Sequence, residues 1–384
     1  MFDTVEISIL KDFEKREDSI TIIAPGRVNL IGEHTDYNNG FVFPAAISLA
    51  IYGKALKRND AVVNVYSIDM NEEKKIPISD NYEKNGDWSD YIKGVIIELS
   101  RIKPLKYGVD VAFKSEVPMG SGLSSSAAFE LINAKLLSYV NDIELSNKEL
   151  ALLCQRAENN FIGVKCGIMD QFAVALGEQD AALFLDTMTL DYEVVKLNLN
   201  NYKIVISNTN KPRQLSDSKY NERRAECEQV VSIFNKLNPE IKSLRDVNIN
   251  FLESNKTHLD TVLYKRAKHV ISENKRVLDS VKFLKSGSLN KFGELMVESH
   301  NSLRNLYEVS CKELDTLVDE FVKYDGVLGS RMTGAGFGGC TVSIINNSSI
   351  DEIIKKVDMV YQDKTGLKAE HYIVDAESGV RIIK

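Results

Sequence analysis

The stretch Pro118-Met119-Gly120-Ser121-Gly122-Leu123-Ser124-Ser125-Ser126-Ala127-Ala128 joins two segments of opposite character. Before it, Val109, Val111 and Phe113 alternate as a half-buried strand does. After it, residues 127–140 are apolar at most positions, which predicts a helix buried nearly all round. The order strand, Gly-Ser loop, buried helix restricts the chain to mixed folds. Gly120 and Gly122 permit close backbone approach and positive φ. The serines bring hydroxyls and helix-capping oxygens. The free N–H groups and dipole of a helix start favour an anion. A flexible turn that merely caps a helix is the alternative, and the ordered elements on both sides speak against it.

A second stretch, Ala24-Pro25-Gly26-Arg27-Val28-Asn29-Leu30-Ile31-Gly32-Glu33-His34-Thr35-Asp36-Tyr37, crowds Arg27, Asn29, Glu33, His34 and Asp36 into a short span. It follows Ile20-Thr21-Ile22-Ile23, which reads as a strand, and Pro25 and Gly26 are expected to break that strand. Ionised carboxylates are pure acceptors, so such a cluster suits a polyhydroxylated ligand. A solvated turn with surface charges is the competing reading.

The rest of the chain bounds the function by exclusion. A net charge of −7 argues against nucleic acid as the main partner. The cysteines at 154, 166, 227, 311 and 340 have no CxxC spacing and suit buried thiols in a reducing cytoplasm. Cys166 is read as packing. The histidines at 34, 258, 269, 300 and 371 lack metal-ligand spacing, so zinc is not expected. Met1 to Glu6 lacks a signal-peptide pattern, and the run from Phe41 to Tyr52 is too short to span a bilayer. No Gly-x4-Gly-Lys-Ser/Thr occurs. Gly334-Ala335-Gly336-Phe337-Gly338-Gly339 fits GxGxxG, but a strand follows it where a dinucleotide fingerprint must open a helix. It reads as a ligand-approaching glycine loop or a tight turn.

Strands are expected near 20–24, 41–56, 61–68 and 107–116, and helices near 88–101, 126–140 and 147–160, the last opened by a capping box of Ser146 and Glu149. Strands return over 181–207. Residues 216–325 read as almost all helical, and the end alternates as strand 327–331, strand 340–345, helix 349–364 and strand 370–374. There is no repeat or low-complexity linker. A domain division falls near 180–200, giving units of 1–190 and 191–384.

Three motifs carry a family resemblance. Gly26 to Tyr37 is similar to the galactokinase signature. Gly122-Leu123-Ser124-Ser125-Ser126-Ala127 resembles the ATP-binding loop of the GHMP small-molecule kinases. Met332 to Cys340 resembles their C-terminal glycine motif, with Ala335 where many relatives carry glycine. The resemblance implies a two-domain α+β GHMP kinase fold, with the active site in the interdomain cleft and a C-terminal tail that can return to the first domain. It implies that Asp170, in Cys166-Gly167-Ile168-Met169-Asp170-Gln171, accepts the proton of the anomeric hydroxyl. Arg27 would pair with it and offset charge on the transferred phosphoryl group. Glu33, His34, Thr35, Asp36, Gly167 and Tyr220 would bind the sugar, although Tyr220 also fits a core stripe on its helix. Gly120, Ser121, Gly122, Leu123, Ser124, Ser125 and Ser126, with Trp88 and Ser67, would take ATP. Ser126 and Glu158 would hold Mg2+.

The implied activity is ATP-dependent phosphorylation of α-D-galactose at its anomeric hydroxyl, by a cytoplasmic monomer. An N-acetylgalactosamine kinase is the nearest rival. A non-catalytic galactose sensor on the same fold is the other, and the uninterrupted Ser124-Ser125-Ser126-Ala127-Ala128 run with Asp170 argues against it.

Overall fold

The computed structural model describes Phe13, residues 16–211 and residues 216–383. The expectation for Met1 to Glu6 lies outside them. The first half lays down β1 (Ile20–Asn29), β2 (Phe41–Val42), β3 (Pro44–Lys57), β4 (Val62–Ser67), β5 (Glu72–Pro77), α1 (Ser89–Ser100) and β6 (Val109–Ser115). Next come α2 (Ser125–Val140), α3 (Asn147–Ala157), α4 (Met169–Leu176), β7 (Ala181–Asp186), β8 (Tyr192–Lys196) and β9 (Tyr202–Asn208). The helical stretch comprises α5 (Ser216–Leu237), α6 (Ile249–Asn255), α7 (Thr261–Lys285), α8 (Leu289–Ser302) and α9 (Lys312–Phe321). The chain then runs through β10 (Val327–Thr333), β11 (Cys340–Asn346), α10 (Ile350–Thr365), β12 (Glu370–Val374) and β13 (Arg381–Ile383).

A six-stranded sheet in the order β13-β1-β3-β6-β4-β5 underlies the first half. The last strand joins this sheet at its edge: Thr21, Ile22 and Ile23 pair with Ile383, Ile382 and Arg381. Helices α2 and α4 pack on β1 and β3, and their apolar faces join one large core with the sheet. A four-stranded sheet in the order β10-β11-β9-β12 serves the second half, with α8 packed on β10 and α9 on β10 and β11, while α5 and α6 pack on α7. A three-stranded sheet has the order β2-β7-β8, and its β7–β8 hairpin spans residue 190. Among the described residues, no helix is long and apolar enough to cross a membrane.

The expected break at Pro25 and Gly26 is corrected. β1 continues to Asn29, and the interruption is a register shift between Pro25 and Arg27 opposite β3. Pro25 lies past the residues that pair with β13, where a missing N–H disturbs no ladder on that side. Gly26 answers a different need. A Cβ there would stand 2.9 Å from the Leu123 carbonyl oxygen, which accepts a 3.0 Å hydrogen bond from the Arg27 N–H. The Gly-Ser loop is thereby docked edge-on against the strand that carries the sugar signature.

The helix expected over 147–160 opens with the predicted capping box, Ser146 and Glu149 bonding reciprocally. It changes character at Glu158, where a π-helical turn runs from Glu158 to Ile162. A second π turn, Leu303–Tyr307, ends α8. Such turns re-aim side chains within a helix and recur at functional sites.

Candidate active site

A cavity of about 410 Å³ opens between the two halves. Arg27, Glu33, Asp36 and Asp170 face it from the first half, and Tyr220, Gly334 and Ala335 from the second. Arg27 projects from β1 and is nearly fully buried, whereas about a third of the Asp170 side chain is exposed. Asp170 sits in the first turn of α4, where a helix dipole favours negative charge. The guanidinium grips it bidentately, Nε donating to Oδ1 at 2.8 Å and Nη2 to Oδ2 at 2.6 Å. Nη1 donates to the Gly122 carbonyl at 2.6 Å. The Ser124 hydroxyl also donates to Asp170. Ser124 takes φ 61°, a left-handed conformation uncommon outside glycine, and so turns from the expected nucleotide side toward the carboxylate.

The sugar-signature loop is held from all sides. Glu33 accepts from Asn29 Nδ2 at 3.0 Å and from the Gly334 N–H at 2.8 Å. Burial pushes its carboxyl up, against the opposing pull of Arg331, Asn29 and Arg27. Asp36 opens a short 3-10 turn at the cavity wall. Burial first, and the charge of Asp170 second, push it up to about 7. Gly167 is where the opposite wall meets Asp36, and a Cβ on it would overlap that carboxylate. Burial drives the His34 imidazole down to about 3, so the ring is neutral. Tyr220 packs against both His34 and Tyr37, at 5.7 and 5.2 Å between ring centroids.

Thr35 does not line the cavity. It is fully buried, and its hydroxyl donates to the carbonyls of Gly32 and Phe41. Cys166 lines the cavity, with its thiol donating to Glu158; burial holds that thiol protonated. Glu158 also accepts from Gln171 Nε2 at 2.7 Å. Burial, and beyond it the charge of Asp170, push Glu158 up to about 7.

A second cleft lies beyond the Gly-Ser loop, lined by Ser67, Trp88, Ser125, Ser126 and Phe129, with Met119 at its mouth. Trp88 donates to Glu72 and meets Phe129 edge-on. Ser126 lines the second cleft and Glu158 the first. Leu123 is buried in the core and contributes its backbone, and the Ser121 hydroxyl donates to the Pro118 carbonyl. Among the described residues, no group of three His, Cys, Asp or Glu could hold a metal ion.

Several supports of the site come from far along the chain. Glu273 on α7 is fully buried and accepts from the Gly32 N–H at 2.9 Å. His269, also on α7, bonds the Glu33 carbonyl through Nε2. Arg331 on β10 donates to the Asn29 carbonyl at 3.0 Å. No local motif marks these residues. Glu130 was also passed over, and here a signal existed: it is a fully buried carboxyl in an apolar helix, beside Gln171.

The chain matches the galactokinase galactose-binding signature over residues 10–55, the GHMP kinases N terminal domain over 90–178 and the GHMP kinases C terminal over 280–363. It is 45% identical to a galactokinase of Fusobacterium nucleatum subsp. nucleatum, covering 98% of this chain and 99% of that one. It is 45% identical to a galactokinase of Clostridium acetobutylicum, covering 97% of each. The crystal structure of Lactococcus lactis galactokinase complexed with galactose superposes with a TM-score of 0.93, at 39% identity over 97% of this chain and 98% of that one. Mevalonate kinase of Methanococcus jannaschii, at 22% identity and a TM-score of 0.68, shares the fold, with 94% of this chain and all of that one covered. With the likeness running through almost the whole chain and all three motifs inside the matched regions, the chain belongs to the galactokinase family of the GHMP kinases.

Proposed function

We propose that this chain transfers the γ-phosphoryl group of ATP to the anomeric hydroxyl of α-D-galactose, yielding α-D-galactose 1-phosphate and ADP. The observation that carries the reading is the Arg27 guanidinium, which grips Asp170 with two nitrogens and the Gly122 carbonyl of the Gly-Ser loop with the third. One cation thus bridges the sugar cavity and the loop. Asp170 accepts the hydrogen of the anomeric hydroxyl and aims its oxygen at the phosphorus. The new P–O bond forms as the bond to the ADP oxygen breaks, and Arg27 offsets the charge that develops. Glu33 and Asp36 accept from sugar hydroxyls. His34 and Tyr220 complete the wall, Gly167 leaves room for Asp36, and Thr35 holds the loop's shape.

ATP occupies the second cleft, its base against Trp88 and Ser67 and its phosphates over residues 120–126. Magnesium takes oxygen ligands and needs only one or two from protein when phosphates supply others. The Glu158 carboxylate and the Ser126 hydroxyl are oxygen donors of the kind such an ion takes, and they would hold it against the phosphates. When bound, the ion offsets charge on the phosphate oxygens.

The test is ADP release by the purified protein against a panel of sugars. Galactose should be the best acceptor, with glucose and N-acetylgalactosamine far behind. Faster turnover of N-acetylgalactosamine would replace the reading with that of a 2-acetamido sugar kinase, and ADP release with none of them would remove it.

A further inference from the structure

Among the described residues lining the sugar cavity, His34 supplies the only imidazole. Its Nε2 lies 3.2 Å from the Ala335 carbonyl oxygen and its Nδ1 lies 2.8 Å from the Tyr37 hydroxyl. A carbonyl can only accept, so Nε2 carries the proton. The buried ring is neutral, which leaves Nδ1 bare. Tyr37 must therefore donate to Nδ1. The Tyr37 oxygen lies 2.7 Å from the Tyr307 hydroxyl. Since the Tyr37 proton is already engaged, Tyr307 donates to Tyr37. The Tyr307 oxygen is in turn 3.2 Å from the Cys227 thiol, which can donate to it. With the ring neutral, these distances give the chain one direction: Cys227 to Tyr307 to Tyr37 to His34 to Ala335. Tyr307 and Cys227 are fully buried and do not line the cavity. Tyr307 is the last residue of the π turn Leu303–Tyr307.

We propose that Tyr37 and Tyr307 are positioning residues for sugar recognition, which by donating into Nδ1 hold His34 as an Nε2–H donor at the cavity wall. The inference rests on the reading that galactose occupies this cavity. An incoming hydroxyl oxygen takes over the Nε2–H from the Ala335 carbonyl. A hydroxyl both donates and accepts, so by itself it would tolerate either tautomer of the ring. The tyrosine relay removes that ambiguity. It presents the sugar with a donor at His34 beside acceptors at Glu33 and Asp36, and so prescribes which way the sugar's hydroxyl hydrogens point.

The experiment is nitrogen NMR on the full chain labelled at the histidine rings, with His34→Gln used to assign the His34 signals. Galactose should perturb those signals, and the galactose-saturated protein should show a single Nε2–H tautomer. In Tyr37→Phe the complex should show a mixed or Nδ1–H tautomer. The KM for galactose should rise about tenfold, the effect of losing one buried hydrogen-bond partner, while the KM for ATP stays unchanged. Tyr307→Phe should shift both readouts in the same direction by less, and it carries the test should Tyr37→Phe not fold. If galactose leaves the His34 signals untouched, the sugar site itself is misassigned. If galactose perturbs them but the wild type is Nδ1–H, or either readout changes in Tyr37→Phe without the other, the site stands and the relay is overturned.

Discussion

A methyl group on Gly167 would lie 1.7 Å from Oδ2 of Asp36. The glycine of one motif is thus required by the carboxylate of another. Gly167→Ala should fold, since the collision is with a side chain that can swing aside, but Asp36 would then leave its place. A lost hydrogen bond to a charged group costs roughly 1.5–3 kcal/mol, so kcat/KM for galactose should fall about 10- to 100-fold. ADP affinity, measured by calorimetry, should not change. An unaltered kcat/KM would show that Asp36 does not touch the sugar from this position.

Asp170→Asn keeps the size of the side chain and one oxygen for Arg27, but removes the proton acceptor. Turnover should drop by roughly 10²- to 10⁴-fold, with nucleotide affinity preserved because the residue faces the sugar cavity. Stopped-flow or steady-state turnover near that of the wild type would remove Asp170 from the chemistry.

Glu158→Gln should raise the magnesium concentration needed for half-maximal rate and leave galactose affinity nearly constant. Titrating the metal at saturating sugar and nucleotide measures the first, and calorimetry with galactose the second. Collapse of galactose affinity with an unmoved magnesium requirement would reassign Glu158 to the sugar wall it also borders.

Asp36 gives a pH prediction with a definite sign. Burial and Asp170 raise it to about 7 in the unliganded protein, so at pH 6 most molecules carry its proton. Sugar hydroxyls that donate to Asp36 favour the carboxylate, so galactose binding should expel that proton. Affinity should climb with pH up to about 7 and level off above it. Calorimetry at pH 6 in two buffers of different ionisation heat should report proton release approaching one per site, and at pH 8.5 almost none. For folding, the same raised value means that this group's contribution weakens as pH rises from its ordinary range toward about 7. Proton uptake at pH 6 would contradict the role given to Asp36.

The local motifs were readable because their signals are local. The alternation of Val109, Val111 and Phe113, the box of Ser146 and Glu149, and the glycines of the loops all act within a few residues, and each element stands where the pattern put it. Pro25 misled because a breaker was weighed without knowing that a register shift would absorb it. The strand Glu72–Pro77 was missed because its charged sequence lies at a sheet edge and lacks an apolar face. At the site, Asp170 and Arg27 were named from the sequence, but their bidentate grip is a property of β1 and α4 packing together. Glu273, His269 and Arg331 were invisible for a related reason: each meets the sugar loop only after the two halves close on one another. Glu130 was legible in principle, as the one carboxyl of this mostly apolar helix, yet a mean over the helix conceals it.

The pairing of Arg381–Ile383 with the start of β1 sets an order of events during synthesis. The strand bearing Arg27 leaves the ribosome early, while the strand that covers its outer edge emerges after every other described element. Throughout elongation, that edge presents unpaired backbone groups, the kind of surface on which nascent chains associate wrongly. Chains that stop short of residue 381 would carry every side chain of the proposed site and still lack this seal. Their yield of soluble protein, more than their catalysis, is where the loss should be felt.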